Sequence, residues 1–92
     1  QPFDVLAIKG NKILAADCKV CYEPKFPLKR VEDNQWTSFD VMLQKTHATV
    51  GIIAYHDGIV YFIHYYELMN AKKSYIPLND ERNLSWVNVC YG

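Results

Sequence analysis

The sequence lacks long hydrophobic runs and an excess of either charge, and both absences exclude classes of protein. Its longest uninterrupted apolar stretches are only a few residues, far short of the roughly 20 that cross a membrane, so we expect no membrane contact. Lys and Arg total 10, as do Asp and Glu, for a formal net charge of zero. A protein that coats nucleic acid would be basic. Any contact with nucleic acid must therefore depend on locally placed cations.

Cysteine is scarce as well. Cys18, Cys21 and Cys90 are odd in number, which disfavours the disulfide framework of a small secreted domain. Cys18 and Cys21 form one C-x-x-C pair, but a zinc site needs four ligands and no second pair has a suitable spacing. No basic-then-apolar leader opens the sequence. We therefore expect free thiols in an intracellular, cytoplasmic protein.

The chain does contain enough apolar material for a single domain over residues 1–92. Hydrophobic residues make up 50% of it and aromatic residues 14%, which excludes a disordered segment. Residue spacing and turn signals predict strands at 3–8, 13–20, 48–55, 59–65 and 84–90, helices at 33–46 and 66–73, and loops at 22–31 and 74–83. The order ββ-α-ββ-α-β predicts an α/β fold with a mixed β-sheet core and helical cover.

The first two predicted strands form a hairpin that places two carboxylates together. Gly10 can take a positive φ at no steric cost, so Gly10 and Asn11 form a two-residue turn. Counting outward from this turn sets Asp4 directly opposite Asp17, with Cβ atoms about 4.5–5.5 Å apart. Lys19 lies two residues beyond Asp17 and therefore on the same face.

Opposed carboxylates repel each other, and a shared proton or a divalent cation relieves the repulsion. Hard oxygen ligands suit Mg²⁺ or Mn²⁺, which accept phosphate oxygens as further ligands. A lysine beside such a metal can hold the attacking water and neutralise charge on a phosphate. Asp4, Asp17 and Lys19 therefore favour metal-dependent phosphodiester hydrolysis. The alternative is a pair of exposed strand-end carboxylates with an ordinary surface salt bridge.

Two stretches of the hairpin carry a pattern: Pro2-Phe3-Asp4 and, after twelve intervening residues, Asp17-Cys18-Lys19. The pattern resembles the PD-(D/E)xK nuclease signature. Further similarity lies in Phe26-Pro27-Leu28-Lys29, Gln35, Gly51-Ile52-Ile53-Ala54, Val60-Tyr61-Phe62 and Lys73-Ser74-Tyr75-Ile76-Pro77-Leu78. These segments resemble the RecU-type Holliday junction resolvases, in the family's order, over roughly residues 3 to 90. The resemblance implies a restriction-endonuclease-like fold.

The resemblance also implies roles for individual residues. Asp4 and Asp17 would be metal carboxylates, the second standing where the family more often has Glu, and the backbone carbonyl of Cys18 would be a third metal ligand. Lys19 would position the nucleophilic water. Gln35 would be a catalytic polar residue on the helix, the alternative being a solvent-exposed glutamine of the first turn. The family carries a helix before the first catalytic strand, and we expect this domain to be without it.

The predicted loop after the hairpin is basic. Lys25, Lys29 and Arg30 flank Phe26 between the catalytic strand and the helix. We expect these cations to hold phosphates, with Phe26 or Trp36 stacking on a base or wedging a junction. The alternative is a solvated loop with Phe26 packed onto the core.

The prediction from these residues is a structure-selective DNA endonuclease that resolves Holliday junctions in DNA recombination and repair, with Mg²⁺ or Mn²⁺ as cofactor. A four-way junction has two equivalent strands to cut, so we expect a homodimer. One alternative is a restriction- or repair-type nuclease of the same fold that acts on duplex or ends. Another is a non-catalytic module that binds nucleic acid or protein.

Overall fold

The secondary structure follows the apolar segments of the sequence. The computed structural model describes residues 3–84, so Pro2, Cys90 and all but the first residue of the predicted strand 84–90 lie outside the described residues. The strands are β1 (Val5–Lys9), β2 (Lys12–Val20), β3 (Lys25–Pro27), β4 (Thr49–His56), β5 (Ile59–His64) and β6 (Tyr75–Pro77). The helices are α1 (Asp33–Lys45) and α2 (Tyr65–Met69), with 3₁₀ helices at Leu28–Arg30 and Asp80–Arg82.

The larger sheet is mixed. Over residues 3–84 its strand order is β1-β2-β4-β5. The pairs β1–β2 and β4–β5 are antiparallel, whereas β2 and β4 are parallel. A parallel pair needs a long crossover connection, and α1 lies within the one that joins β2 to β4. The predicted mixed α/β architecture is confirmed at this level.

The predicted loops at 22–31 and 74–83 each contain a short strand, so this part of the prediction is wrong. β3 and β6 pair antiparallel to form a second sheet, which we call the ribbon. Pro24 and Pro27 disfavour an α-helix that runs through them, but a fixed φ near −65° is compatible with a short strand that needs few ladder hydrogen bonds. The partner strand lies far along the chain, where local turn signals carry no information about it.

Both helices differ slightly from their predicted ranges. The N-cap of α1 is Glu32, and the helix ends at Lys45, one residue before the predicted end. α2 starts one residue before 66 and stops at Met69 because Asn70 ends it. The Asn70 side chain donates to the backbone oxygen of Tyr66 at 2.8 Å, a local bond that competes with helix continuation. No helix among residues 3–84 is long and apolar enough to cross a membrane.

The main core lies between α1 and one face of the larger sheet. Phe39 on α1 and Ile52 on β4 are 0% exposed and belong to the same buried cluster as Ala15 on β2. Because side chains alternate along a strand, Asp17 and Lys19 share this helix-covered face with Ala15. Asp17 and Lys19 thus lie at one end of an otherwise apolar face of the sheet.

The close packing of β4 and β5 requires a glycine. A Cβ built at Gly51 would overlap the backbone carbonyl oxygen of Ile63 and approach the Phe62 ring. Backbone atoms cannot move aside as a flexible side chain can, so no larger residue fits at this position. The alignment of β2, β4 and β5 depends on this contact.

His64 ends β5 and caps α2. Its Nδ1 accepts a hydrogen bond from the backbone N–H of Tyr66 at 3.3 Å, and the two rings stack with centroids 4.9 Å apart. Burial is the main factor that lowers the pKa of His64, and the Glu67 carboxylate opposes it. The neutral imidazole, in which an unprotonated Nδ1 can accept a hydrogen bond, is therefore the form that caps the helix.

Acid should weaken the folded state through His64. Its pKa is lower in the folded chain than the ordinary 6.5, so the unfolded chain binds the proton more readily and stability falls as the pH drops below about 6.5. Between about pH 7.5 and about pH 5.5, the melting temperature should fall further in the wild type than in His64→Asn. Asn caps a helix without titrating. Equal falls in the two proteins would contradict this role.

Candidate active site on the first hairpin

The hairpin has the register that the turn residues predict. Lys9 pairs with Lys12 next to the turn, and the ladder runs to Val5 opposite Ala16. Gly10 has a φ of +63°, the left-handed conformation that favours glycine. One step past the ladder, the same register brings Asp4 opposite Asp17. The backbone N–H of Asp4 donates to the Ala16 carbonyl at 3.0 Å, which extends the pairing to this residue.

The Asp4 carboxylate is exposed and tied to the neighbouring strand. Its Oδ2 accepts a hydrogen bond from the backbone N–H of Cys18 at 2.9 Å. This bond is the main cause that lowers the pKa of Asp4 from 3.8, and the side chain of Asp17 lowers it further. Lys19 adds a weaker electrostatic contribution in the same direction. Asp4 is therefore held ionised, as an oxygen ligand for a cation would have to be.

Asp17 is a buried carboxylate with an incomplete set of partners. It is 4% exposed, and the Lys19 ammonium lies 3.1 Å from its Oδ2. Within residues 3–84, that oxygen nevertheless has no hydrogen bond of acceptable geometry. Charge pairing alone leaves part of the desolvation cost of a buried oxygen uncompensated. Such an atom is a natural position for a further ligand.

The oxygen donors at the hairpin fit a hard divalent cation. Asp4 and Asp17 supply two carboxylates, but the described residues contain no group of three or more His, Cys, Asp or Glu side chains that could hold a metal. Mg²⁺ is commonly held by one or two carboxylates, with waters and substrate oxygens completing its shell. The donor set therefore fits Mg²⁺ or Mn²⁺, and the Cys18 carbonyl stays a predicted third ligand.

The two described cysteines are free thiols, as expected. Burial, aided by the charges of Asp4 and Asp17, raises the pKa of the Cys18 thiol. Burial also raises the pKa of Cys21, although Arg30 opposes this shift and donates to its Sγ at 3.6 Å. Both shifts favour the protonated thiol.

Gln35 is buried in the first turn of α1. It is 3% exposed, which contradicts the alternative of a solvent-exposed side chain. Its Oε1 accepts a hydrogen bond from the backbone N–H of Glu32 at 3.1 Å. The observed contact caps the helix and does not reach the hairpin carboxylates. A catalytic role for Gln35 stays a prediction.

The residues predicted to bind nucleic acid separate into two groups. Phe26 is 0% exposed and packs in the main core, so its ring cannot stack on a base or enter a junction, and that expectation is wrong. Lys29 is exposed and Lys25 is half-buried. Arg30 donates from Nη1 to the Val20 carbonyl at 2.6 Å, which fixes the basic segment to the end of β2.

The sequence-derived candidates omit a half-exposed aromatic residue. Tyr75 lies on β6, and its ring is approached by Lys25 at 5.1 Å from Nζ to the ring centroid. The sequence signal for Tyr75 is the alternation of side chains along a strand. In β3 and β6, successive side chains point to opposite faces, so a buried Phe26 implies that the side chains on either side of it in the strand point outward. A loop at 22–31, as predicted from the sequence, has no such alternation and therefore gives no indication of Tyr75.

Comparison with models of known protein families gives no match, and no curated protein sequence matches the chain. The family resemblance therefore depends on the residues quoted above.

Replacing Phe26 should change stability and leave DNA contact unchanged. Phe26→Ala should lower the free energy of unfolding by about 3–5 kcal/mol because it opens a cavity in the core. Phe26→Leu should cost about 1–2 kcal/mol, since it retains most of the apolar contact. Urea unfolding measures both values, with the exposed Lys29→Ala as a control expected to stay within about 0.5 kcal/mol of the wild type.

The conservative variant also tests the packing role. Fluorescence anisotropy with a labelled DNA should give the same affinity for Phe26→Leu and the wild type. A folded Phe26→Leu protein that has lost DNA affinity would restore the original expectation that this ring contacts a base.

Proposed function

We propose that this protein is a metal-dependent DNA endonuclease of the PD-(D/E)xK kind that cuts branched DNA, such as Holliday junctions. The observation that carries the proposal is the hairpin, which sets an ionised Asp4 opposite a buried Asp17. The Lys19 ammonium lies 3.1 Å from Asp17. The unmet hydrogen-bonding capacity of Asp17 Oδ2 supports a ligand at this place.

Asp4, Asp17 and the Cys18 carbonyl are the groups that would hold Mg²⁺ or Mn²⁺. When bound, such an ion polarises a phosphoryl oxygen and lowers the pKa of a coordinated water. The hairpin contributes rigidity, because each carboxylate stands on a strand whose register is fixed by the turn. Oxygen ligands held in this way need no rearrangement before they act.

Lys19 forms an ion pair with Asp17 and acts on Asp4 through its charge. Its ammonium has three donors and no acceptor, so it can hold the oxygen of a water or a phosphate while it remains paired with Asp17. A positive charge beside the scissile phosphate stabilises the negative charge that builds up during hydrolysis. Lys19 therefore orients the nucleophile and offsets charge.

The basic segment after β2 would extend the site along a DNA backbone, and its attachment to the end of β2 supports this role. Arg30 is bonded to the carbonyl of Val20, the residue that follows Lys19. Lys25 and Lys29 lie on the same short segment. Phosphate contacts from these cations would hold DNA near the hairpin without reading its sequence. A four-way junction then calls for a two-fold symmetric dimer.

A second candidate is a non-catalytic module that binds DNA or protein through the same fold. The observation that favours it is the ion pair itself, since Lys19 neutralises the charge of Asp17 without a metal. In that case the three residues stabilise the hairpin end and have no chemical role. Cleavage separates the two candidates, and the choice of DNA substrate separates a resolvase from a restriction- or repair-type nuclease.

The test is a cleavage assay with a labelled four-way junction, a plain duplex and a flap of matched sequence. The wild type should cut the junction with Mg²⁺ or Mn²⁺ and not with a chelator. Asp17→Asn and Lys19→Gln should each slow cleavage about 100-fold or more, because each removes a charge that acts on the phosphate. Junction affinity should stay within about threefold of the wild type.

Two exposed residues away from the site provide matched controls. Asp57→Asn and Lys12→Gln make the same chemical changes at turn positions and should leave the cleavage rate unchanged. A wild-type protein that binds the junction but leaves it intact with either metal would overturn the nuclease proposal and favour the binding module. Equal loss of activity in the controls and the site variants would also contradict it.

A further inference from the structure

The ribbon formed by β3 and β6 has two chemically different faces. Phe26 pairs with Ile76 in its centre, and these two side chains are 0% and 5% exposed. The flanking pair of Pro27 and Tyr75 points the opposite way because side chains alternate along a strand. One face of the ribbon is therefore part of the core, and the other faces outward.

Two lysines from different segments converge on the outward aromatic ring. Nζ of Lys25 lies 5.1 Å from the centroid of the Tyr75 ring, and Nζ of Lys73 lies 5.8 Å from it. Both distances are within the range of a cation–π contact. Lys73 is exposed, while Lys25 and Tyr75 are half-exposed. We call Lys25, Lys73 and Tyr75 the tyrosine platform.

The segments around the platform concentrate positive charge in a protein whose net charge is zero. Residues 24–31 and 71–78 contain no Asp or Glu. They carry five of the chain's 10 Lys and Arg residues: Lys25, Lys29, Arg30, Lys72 and Lys73. The local cations that a neutral protein needs for nucleic-acid contact are thus gathered on the ribbon and its flanks.

Two hydrogen bonds link the segments next to the platform to the strand end next to the candidate active site. The backbone N–H of Leu28 donates to the Ser74 carbonyl at 2.9 Å, next to both Lys73 and Tyr75. Two residues after Leu28, Arg30 donates to Val20, which adjoins Lys19. The ribbon is therefore held in a fixed position relative to the end of β2.

We propose that the tyrosine platform binds an unpaired nucleotide of the DNA substrate. The Tyr75 ring stacks on the base, and the ammonium groups of Lys25 and Lys73 leave the ring to contact the adjacent phosphates. An aromatic ring flanked by cations is the arrangement that binds single strands without sequence preference. The inference rests on the proposed nuclease function and narrows its substrate to branched DNA that exposes an unpaired base beside the cut, as a flap does, or a junction whose branch point opens.

The experiment measures binding apart from cleavage. Fluorescence anisotropy without a divalent metal compares a labelled single strand of about 20 nucleotides, which exceeds the length that one small domain covers, with the duplex of the same sequence. Tyr75→Thr, which keeps a strand-forming side chain, should weaken single-strand binding about tenfold or more and duplex binding much less. Tyr75→Phe keeps the ring and should bind like the wild type.

The lysines have a separate readout, so the test does not depend on one variant folding. Lys25→Gln and Lys73→Gln should each make the negative slope of log affinity against log salt shallower by about 0.7 for a single strand. Lys12→Gln, on the hairpin turn, should leave the slope unchanged. Melting curves verify that each variant is folded.

The outcomes distinguish failure of the platform from failure of the nuclease proposal. If single-strand affinity and its salt slope are unchanged in the Tyr75 and lysine variants, the platform is overturned even when the wild type cuts DNA. If Tyr75→Thr weakens binding but the wild type never cuts, the platform stands and the nuclease function falls. If the wild type binds no single strand, the platform is overturned outright.

Discussion

The register of the β1–β2 hairpin is the constraint on which the candidate site depends. A two-residue turn with Gly10 in the left-handed conformation leaves one way to pair the strands, because a slip of one residue would turn every side chain to the other face. The same register that buries Ala15 brings Asp4 to Asp17. The position of the acidic pair is thus a consequence of core packing, and no further interaction is needed to bring the two carboxylates together.

The candidate site also lowers the stability of the folded chain. Asp17 is buried at the end of an apolar face, where a charge loses its hydration. Lys19 offsets the charge without completing the hydrogen bonds of Oδ2. Residues chosen for stability alone would avoid this arrangement. An uncompensated polar group beside an ionised carboxylate is typical of a functional site, where stability is given up for binding.

The elements that form from neighbouring residues could be predicted from the sequence. The prediction was wrong for strands that form only by pairing with a segment distant in the chain. The turn at Gly10 and the three- and four-residue spacing around Phe39 predict the hairpin and α1 because both form from neighbouring residues. β3 has only three residues, one of them a proline, and a second proline directly precedes it. It is therefore a strand only because it pairs with β6, which is remote in sequence. That error hid the alternation which buries Phe26 and exposes Tyr75. Gln35 was correctly placed in the first helical turn, but its burial depends on packing against the rest of the chain.

Direct measurement of metal binding tests the central claim, since it needs neither DNA nor catalysis. In a calorimetric titration with Mn²⁺, the account predicts one bound ion per chain. Asp17→Asn should weaken the affinity at least about tenfold, because it removes a charged ligand. Asp57→Asn, the same change at an exposed turn, should bind like the wild type. Binding that is absent at millimolar Mn²⁺, or identical in all three folded proteins, would contradict the claim that Asp4 and Asp17 form a cation site.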